Sequence, residues 1–292
     1  MRIDLHTHSW VSDGTQSPAD LVDSAAAAGV DIVALTDHDQ MNGWAQAQER
    51  ALALGLGWVG GMEVTCRMPA SGISVHMLCY LPDPLSPELL SRLAELRYSR
   101  DHRARAMVER LAEDFPIDWA QVVGQTQDGA TIGRPHIADA LVAARVVQDR
   151  TEAFASILSA RTKYYVGTDA LDPHEAVRVI HDAGGVAIMA HPVAAERGRV
   201  ISQREMLSVV EAGLDGVEVY HRDNSPAGRK QLLALAAEHD LIVTGSSDYH
   251  GAGKPNLLAE NTTAPDQLAR IIEAAGTENY AGFTLEDLRR AG

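Results

Sequence analysis

The side chains best suited to chemistry are histidines that follow a short apolar segment near the N-terminus. Ile3 and Leu5 alternate with polar residues, and His6 and His8 stand two positions apart. A period of two is typical of a β-strand, in which alternate side chains point to the same face. We therefore expect His6 and His8 to lie side by side, where two imidazoles can bind one metal ion.

Similar side chains recur along the chain. The pair Asp13-Gly14 can return a carboxylate to the end of the first strand, because glycine tolerates the turn. A single His-x-His pair is often incidental, but repetition of the same ligand types favours a metal site. Four later segments end in such residues: Thr36-Asp37-His38-Asp39, Gly61-Met62-Glu63 with His76, Ala190-His191-Pro192, and Ser247-Asp248-Tyr249-His250.

The candidate ligands form a set of nine side chains without a thiolate. They are His6, His8, Asp13, His38, Glu63, His76, His191, Asp248 and His250. Imidazoles and carboxylates suit manganese, zinc or iron, whereas magnesium or calcium sites use oxygen ligands alone. Nine ligands are too many for one ion, so we expect two or three divalent ions, with manganese as first choice. Neighbouring ions of this kind lie ~3.5–4 Å apart, and Glu63 is our choice for the bridging carboxylate.

The elements that must position these ligands are short strands that alternate with helices. Ser17-Pro18-Ala19-Asp20 predicts a helix start, with Ser17 as N-cap and Pro18 in the first turn. In each predicted strand the apolar run comes first, and the candidate ligand follows at or just past its C-terminal end. The later strands are expected at 31–36, 73–81, 186–190, 216–220 and 241–245, with 73–81 forming a hairpin with the Glu63 segment.

This alternation predicts an α/β fold with a mainly parallel sheet. In a closed barrel the carboxyl ends of the strands meet on one face, which is where such barrels place their chemistry. An open doubly wound sheet would spread the same strand ends along a line. No glycine-rich phosphate loop follows the first strand, which also weighs against the open sheet. The barrel is therefore favoured.

The middle of the chain has a different pattern. A long charged helix is expected from about residue 86 to 114, followed by short helices at 135–144 and 151–159 without a clear buried strand. We interpret residues 100–168 as a helical insertion and residues 1–99 and 169–292 as the barrel.

Four segments resemble the motifs of the PHP (polymerase and histidinol phosphatase) superfamily. They are Asp4-Leu5-His6-Thr7-His8-Ser9, Ala34-Leu35-Thr36-Asp37-His38-Asp39, Met189-Ala190-His191-Pro192 and Gly245-Ser246-Ser247-Asp248-Tyr249-His250. They occur in the family's order and span both ends of the chain, leaving out only the insertion. The resemblance implies a distorted, TIM-like (β/α)7 barrel with up to three metal ions on one face and a helical insertion capping that face.

The resemblance also implies how the ligands divide among the ions, and no ligand position is missing. One ion would be bound by His6, His8, Glu63 and Asp248, a second by Glu63, His76 and His191, and a third by Asp13, His38 and His250.

Such a site predicts hydrolysis of a phosphate ester. A bound metal lowers the pKa of water from about 15.7 to near 7, and adjacent ions stabilise charge on the phosphoryl oxygens. We expect a metal-bridging hydroxide to attack phosphorus in line. Asp13 and His38, with His250, would position the phosphoryl group or the leaving oxygen. His191 or a metal-bound water could act as general acid.

The insertion contains a candidate substrate contact, Gly133-Arg134-Pro135-His136. Arg134 can bind a phosphate while free N–H groups of the helix start add donors. The alternative is a capped helix with an exposed Arg134 and a packed His136. Similar segments, and the Lys163-Tyr164-Tyr165-Val166 segment, occur in a PHP branch that removes the 3′-phosphate of nucleoside 3′,5′-bisphosphates or acts on RNA 5′ ends. The resemblance implies that Arg134 and His136 contact the second phosphate or its sugar.

Two further residues follow a predicted strand, and a nearby loop holds two arginines. Tyr220 and His221 are expected to face the site, where substrate contact and rim packing are equally open. Arg197 and Arg199 are more typical of a solvated loop than of a phosphate site.

Composition limits the partners. The net charge of −15 argues against a broad nucleic-acid surface or binding to an anionic membrane. Cys66 and Cys79 lack a CxxC spacing and are expected to be reduced core thiols. The N-terminus has no leader-like segment, and no apolar run approaches about 18 residues, so we expect a cytoplasmic protein.

Together these features predict a metal-dependent phosphatase of small phosphorylated metabolites, with nucleoside 3′,5′-bisphosphates as first choice. A phosphodiesterase or 5′–3′ exoribonuclease on short RNA ends is the nearest alternative. A histidinol-phosphate-type phosphatase would want acidic partners rather than Arg134. An amidohydrolase often uses a bridging carboxylated lysine, and no lysine ends a middle strand here. A non-catalytic, metal-stabilised binding module is disfavoured by the complete ligand set.

Overall fold

The structure is a computed structural model that describes residues 1–126, 130–167 and 169–292. Residues 127–129 and 168, which belong to the predicted insertion, lie outside the described part. The strands are β1 Ile3–Asp4, β2 Ile32–Leu35, β3 Gly57–Arg67, β4 Ser74–Tyr80, β5 Val186–Ala190, β6 Gly216–Tyr220, β7 Ile242–Gly245 and β8 Tyr280–Ala281.

Helices precede or follow most strands. They are α1 Pro18–Ala27, α2 Trp44–Ala53, α3 Pro87–Leu111, α4 Trp119–Val123, α5 Arg134–Ala143, α6 Arg150–Ser156, α7 Pro173–Asp182, α8 Gln203–Glu211, α9 Pro226–His239, α10 Pro265–Ala274 and α11 Leu285–Ala291. The predicted start of α1 is confirmed, because the Ser17 side chain accepts a hydrogen bond from the Asp20 N–H at 2.9 Å.

The first seven strands form a nearly closed barrel in chain order. β1, β2 and β3 are parallel, as are β5, β6 and β7, whereas β4 is antiparallel to both neighbours. Just past β1 and β7, the His8 N–H donates to the Tyr249 carbonyl at 2.8 Å. The expected distorted seven-stranded barrel is confirmed, with its β3–β4 hairpin as the distortion. The short β8, which pairs with β3, has no counterpart in the prediction.

The strands divide their side chains between two apolar layers, as β2 shows. Ile32 and Ala34 pack with side chains of β1, β7 and α10. Val33 and Leu35 pack with α1 and α2 instead. Because successive side chains point to opposite faces, a strand buried on both faces is apolar throughout.

Helix α3 connects the barrel to the insertion. Its 25 residues extend roughly 37 Å at the α-helical rise. Leu89, Leu93 and Leu96 pack in the barrel's core, whereas Met107 and Leu111 pack with α4, α5 and α6 in a separate cluster. This separation supports the predicted division near residue 100, which stays a prediction.

None of the helices in the described ranges has both the length and the apolar character needed to cross a membrane.

The insertion contacts loops that follow the barrel strands. The Thr131 N–H donates to the Val11 carbonyl at 3.0 Å, and the Gln40 side-chain amide donates to the Thr131 hydroxyl at 2.7 Å. Arg150, which Asp139 holds through two N–O contacts of 2.6 Å within the insertion, donates to the Gly253 carbonyl of the barrel at 3.5 Å. These contacts place the insertion over the end of the barrel where the candidate ligands lie.

Candidate metal centre

The barrel brings all nine predicted ligands to one end. Each follows or ends a strand, except Asp13, which lies in the loop after β1, and Glu63 and His76, which lie within the β3–β4 hairpin. Seven of the nine are buried, and His76 and His191 are half-buried. The strand ends thus supply ligands from six strands to one shared pocket.

Glu63 lies at the centre of this pocket, and its two carboxylate oxygens contact different imidazoles. Oε2 is 3.3 Å from His6 Nε2, 3.1 Å from His8 Nε2 and 3.3 Å from His38 Nδ1, and Oε1 is 2.7 Å from His76 Nδ1 and 3.2 Å from His191 Nε2. This arrangement is the one that a bridging carboxylate requires.

Two aspartates complete the cluster from opposite sides. Asp248 Oδ1 lies 3.5 Å from His6 Nε2, 3.4 Å from His8 Nε2 and 3.4 Å from His250 Nδ1. Asp13 lies 3.2 Å from His250 Nε2 and 3.8 Å from His38 Nε2.

The ligand atoms are better arranged for binding divalent cations than for hydrogen bonding with one another. His38 Nδ1 and His250 Nε2 are buried without a hydrogen bond, although carboxylate oxygens lie within 3.3 Å and 3.2 Å. Buried ring nitrogens that lack a hydrogen-bond partner are suited to binding a metal ion. Among the residues that the structure describes, three groups have ligand atoms within 4.8 Å of one another: His6, His8, Glu63 and Asp248; His8, Asp13 and His38; and His38, Glu63 and His76. The first group is the set that the PHP resemblance implies for one ion; the other two divide the ligands differently.

The protonation of two ligands also suits a metal. Burial, and then the Arg197 guanidinium, lower the pKa of His191 to about 3. Burial, and then the Lys254 ammonium, lower the pKa of His250 to about 4. Both imidazoles are therefore neutral at neutral pH, as metal ligands must be.

His8 differs from these two. Burial lowers the pKa of His8, but hydrogen bonds to Asp248 and Glu63 outweigh this effect and raise the pKa to about 9. A proton on His8 occupies the position between the two carboxylates, and metal binding would displace it.

Three residues around the site have a backbone conformation that is uncommon outside glycine. Asp39, His191 and Asp248 have φ angles of 56°, 30° and 54°. Positive φ costs conformational energy and is concentrated at functional sites. At Asp39 the cost is offset by the Thr65 N–H, which donates to its carboxylate at 2.7 Å.

Sequence reasoning missed Glu218, a fully buried residue in the middle of β6. Its Oε1 lies 3.0 Å from His6 Nδ1, and its Oε2 accepts a hydrogen bond from the His191 N–H at 2.9 Å. A carboxylate that bonds the free nitrogen of a ligating histidine fixes the ring's orientation and tautomer. The feature of the sequence that could have identified Glu218 is a single glutamate within an otherwise apolar strand.

Asp37 holds the loop that contains Asp13. It accepts hydrogen bonds from the Ser9 N–H at 2.9 Å, the Ser9 hydroxyl at 2.6 Å and the Ser12 hydroxyl at 2.6 Å.

Arg197 is exposed, as expected of a solvated loop residue, but it also forms ion pairs at the site. Its guanidinium lies 2.6 Å from Asp248 Oδ2 and 2.5 Å from Asp223 Oδ2. Lys254 Nζ lies 3.1 Å from the same Asp248 oxygen. The Arg197 contacts link residues far apart in sequence, whereas Lys254 lies only six residues after Asp248, in a segment without a recognised motif. Arg199 is exposed and donates to the Ser71 carbonyl at 3.1 Å.

The predicted substrate contacts have mixed positions. His221 is buried beside the cluster, with Nε2 at 3.5 Å from Asp248 Oδ2. Tyr220 is 40% exposed and makes no hydrogen bond or ion pair with the nine ligands in the described structure. His136 is buried and accepts a hydrogen bond from the Gly133 N–H at 3.1 Å, and Arg134 is half-buried at the start of α5. Their substrate contacts stay predictions.

Comparisons with known proteins agree with this arrangement. The PHP domain matches residues 4–164. A 3′,5′-nucleoside bisphosphate phosphatase of Chromobacterium violaceum is 33% identical over 86% of this chain and 88% of its own length. A phosphoribosyl 1,2-cyclic phosphate 1,2-diphosphodiesterase of Eggerthella lenta is 30% identical, covering 85% and 94%. A 5′-3′ exoribonuclease of Haemophilus influenzae is also 30% identical, covering 85% and 90%.

A solved structure is similar over nearly the whole chain. The protein, from Bifidobacterium adolescentis and assigned as a metal-dependent phosphoesterase, is 44% identical. The match has a TM-score of 0.90 and covers 93% of this chain and 96% of the other. The matched domain, the relatives and the shared barrel lead to one conclusion: the chain belongs to the PHP domain family.

Proposed function

We propose that this PHP-family phosphoesterase removes the 3′-phosphate from nucleoside 3′,5′-bisphosphates. The observation that carries the proposal is the convergence of imidazoles and carboxylates on Glu63 beneath an insertion that supplies Arg134. The ligand set fits catalysis on a phosphate ester, and the insertion fits recognition of a second anionic group.

Divalent ions fit three overlapping groups of side chains. His6, His8, Glu63 and Asp248 would hold one ion, and the remaining ligands on both sides of Glu63 would hold the others. When bound, such ions supply a nucleophile at neutral pH and compensate charge on the phosphoryl oxygens. The preference for manganese, the number of ions and the cytoplasmic location stay predictions.

The chain's own side chains then have separate tasks. Glu218 holds the His6 ring in one orientation. Arg197 and Lys254 bring fixed positive charge beside Asp248, which suits the oxygens of a phosphoryl group. The low pKa of His191 suits a neutral ligand better than a general acid. Asp13 and His38 remain our choice for positioning the phosphoryl group or the leaving oxygen.

The substrate choice rests on the insertion and on one relative. Arg134 begins α5, and His136 follows two residues later in the first turn of the same helix. Burial lowers the pKa of His136, and the Asp13 carboxylate acts in the opposite direction. The effect of Asp13 indicates that His136 lies near the metal ligands. The bisphosphate phosphatase of Chromobacterium violaceum supports the same substrate class.

A second candidate function is cleavage of a phosphodiester, favoured by the names of two relatives at 30% identity. The net charge of −15 weighs against a long nucleic acid, because the phosphate backbone dominates such binding. A short RNA end or a cyclic phosphate carries few phosphates, so the net charge does not argue against either substrate.

The test is phosphate release by manganese-loaded protein across a panel of substrates. The panel contains nucleoside 3′,5′-bisphosphates, nucleoside monophosphates, a 5′-phosphorylated dinucleotide, phosphoribosyl 1,2-cyclic phosphate, histidinol phosphate and an aryl phosphate. We expect the highest kcat/KM with the bisphosphate. A higher value with the dinucleotide or the cyclic phosphate would replace the proposal with the second candidate. No release with any metal, together with metal-dependent thermal stabilisation, would indicate a binding module.

Arg134→Ala tests the substrate assignment, with the exposed Arg161→Ala of the same insertion as control. We expect Arg134→Ala to reduce kcat/KM for the bisphosphate about ten- to hundredfold more than for the aryl phosphate, because a charge-assisted contact is lost. Equal losses on the two substrates would contradict the assignment.

A further inference from the structure

His38 differs from His6 in how its ring is held. His6 Nδ1 lies 3.0 Å from Glu218 Oε1, and such a partner on the second nitrogen usually orients a ligating histidine. The Nδ1 atom of His38 is buried without a hydrogen bond, and its Nε2 is 3.8 Å from the Asp13 carboxylate, beyond hydrogen-bond distance. The position of the His38 ring therefore depends on its backbone.

The residue after His38 fixes this backbone. The Asp39 N–H donates to the Glu63 carbonyl at 3.1 Å, and His38 forms a bridge with Glu63 across the strand ends. Asp39 has a φ of 56°, and its side chain is completely buried. Positive φ outside glycine costs conformational energy, so contacts of the Asp39 side chain must stabilise this turn.

Those contacts come from β3 and α3. The Thr65 N–H donates to Asp39 Oδ1 at 2.7 Å, and the Thr65 hydroxyl donates to Oδ2 at 2.7 Å. Arg100 Nε lies 2.7 Å from the same Oδ2, and the Arg97 guanidinium donates to the Asp39 carbonyl at 2.7 Å. We call Asp39, Thr65, Arg97 and Arg100 the Asp39 cluster.

The Asp39 cluster lies where the chain passes between barrel and insertion. Its two arginines stand between Leu96, which packs in the barrel core, and Ala104, the first α3 side chain in the insertion core. The Leu171 N–H, in the segment that returns from the insertion, donates to the Thr65 carbonyl at 3.2 Å. The cluster thus joins the loop after β2 to both chain connections of the insertion.

The ion pair within the Asp39 cluster is buried, because Arg100 is only 14% exposed. A buried ion pair often adds little stability compared with apolar side chains of similar volume. Removing one partner is strongly unfavourable, however, because the other charge is left uncompensated. Each charge must therefore stay with its partner, which holds the turn at Asp39 in one geometry.

The ligands of the first group are supported elsewhere. This group consists of His6, His8, Glu63 and Asp248. In the described structure its hydrogen bonds with the Asp39 cluster are limited to the Glu63 backbone. Glu218 holds His6, and Arg197 pairs with Asp248. A change in the Asp39 cluster should therefore displace His38 and leave the first group in place.

We propose that Asp39 and Arg100 are positioning residues for His38. They set the affinity of the ion that His38 would bind, without setting the affinity of the ion that the first group would bind. The proposal goes beyond the proposed function, since it concerns metal binding and holds whichever phosphate ester is hydrolysed.

Equilibrium dialysis against buffered manganese, with bound metal counted by elemental analysis, tests the proposal. We expect Asp39→Asn and Arg100→Gln to bind one ion fewer per chain at a concentration that just saturates the wild type. That ion should return at about ten- to hundredfold higher manganese, and the other ions should bind as in the wild type. Wild-type isotherms in both variants, or uniform weakening of all ions, would overturn the proposal.

The variants are chosen to leave the fold intact. Asparagine tolerates positive φ, so Asp39→Asn keeps the backbone conformation and removes only the charge. The matched control is Arg92→Gln on the same helix, because Arg92 pairs with Glu175 of α7 at 2.7 Å. The control should have the wild-type isotherm, and a loss of one ion in it would contradict a specific role for Arg100.

The double variant Asp39→Asn/Arg100→Gln separates positioning from folding. It contains no uncompensated buried charge, so we expect it to unfold without metal at a higher temperature than Arg100→Gln. The His38 ion should still bind weakly, because the ion pair that fixes the turn is absent. Recovery of unfolding temperature and metal affinity together would show that the pair acts only through folding.

Ligand variants identify which ion is lost. In His38→Gln protein the ion is already missing, so adding Asp39→Asn should remove no further metal. In Asp248→Asn protein, which lacks a ligand of the first group, adding Asp39→Asn should lower the metal content further. The opposite pattern would show that the Asp39 cluster acts on a different ion.

These measurements use no substrate, so the proposal and the proposed function fail separately. Isotherms that change as expected, in a protein that releases no phosphate from the bisphosphate, would contradict the proposed function alone. Hydrolysis of the bisphosphate together with unchanged isotherms in the variants would contradict the positioning role alone.

Discussion

At the scale of single residues, Glu63 connects the two halves of the candidate metal centre. Its carboxylate is 1% exposed and contacts five imidazoles with two oxygens. The imidazoles of His76 and His38 lower its pKa although burial raises it, so it stays ionised. A neutral amide at this position has the same shape but can offer only one acceptor and no charge.

Glu63→Gln should therefore remove most bound metal and reduce phosphate release by more than about 100-fold, beyond the effect usual for a residue outside the ligand set. Metal per chain, measured by elemental analysis after dialysis, and kcat/KM provide the readouts. Glu49→Gln, an exposed change on α2, is the control. Retention of metal and activity by Glu63→Gln would contradict the role of Glu63 as the shared ligand.

Glu218 acts through His6 and His191 rather than on the substrate. Glu218→Gln should weaken metal affinity about ten- to hundredfold, because the amide no longer fixes the His6 tautomer. Competition with a metal chelator measures that affinity independently of turnover. A positioning role also predicts that activity recovers at high metal concentration, whereas a role limited to folding would leave affinity unchanged and lower the unfolding temperature.

At the scale of elements, the N-terminal half of α3 packs in the barrel core and its C-terminal half packs in the insertion core. Leu93 packs in the barrel core, and Leu141 of α5 packs in the insertion core with the far end of α3. Both side chains are fully buried. This arrangement is why damage to one core need not disturb the other.

Leu141→Ala should cost about 2–5 kcal/mol of the insertion's stability, through lost burial and a cavity. We expect lower discrimination between the bisphosphate and the aryl phosphate but a full complement of metal. Leu93→Ala, the matched change in the barrel core, should lower the metal content instead. Hydrogen exchange and metal analysis measure the two effects. Equal metal loss in both variants would contradict the division near residue 100.

The ion pair between His181 of α7 and Asp215 links two elements on the outer side of the barrel. His181 Nε2 lies 2.7 Å from Asp215 Oδ2, and this hydrogen bond raises the pKa of His181 although burial lowers it. A raised folded-state pKa adds stability that is fully present below the unfolded pKa and is lost as pH rises through the folded pKa.

His181→Gln should therefore destabilise the protein at about pH 5 and have less effect at about pH 9, given an ordinary histidine pKa near 6.5. The effect should stay within about 1 kcal/mol, because the pair is partly exposed. Urea unfolding at the two pH values measures it, with the exposed His239→Gln as control. A larger cost at the higher pH would reverse the expected sign.

At the scale of the whole molecule, the ligands of the metal centre could be predicted from the sequence, but the residues that surround those ligands could not. The nine ligands follow apolar runs, and parallel strands in a barrel direct such positions to one face, so local pattern and topology were sufficient. Glu218 and Arg197 became visible only in three dimensions, because their partners lie in other strands and loops, and the contact of Lys254 with Asp248 depends on how the segment after β7 folds.

The central claim is that side chains from separate strands hold divalent ions that this protein needs to hydrolyse a phosphate ester. The most direct test is the rate of phosphate release from adenosine 3′,5′-bisphosphate by chelator-treated protein, recorded as manganese is added and bound metal is counted. We predict no release without metal and a rate that rises with bound metal until the sites are filled. Release that does not depend on metal, or full metal binding without release, would contradict the account.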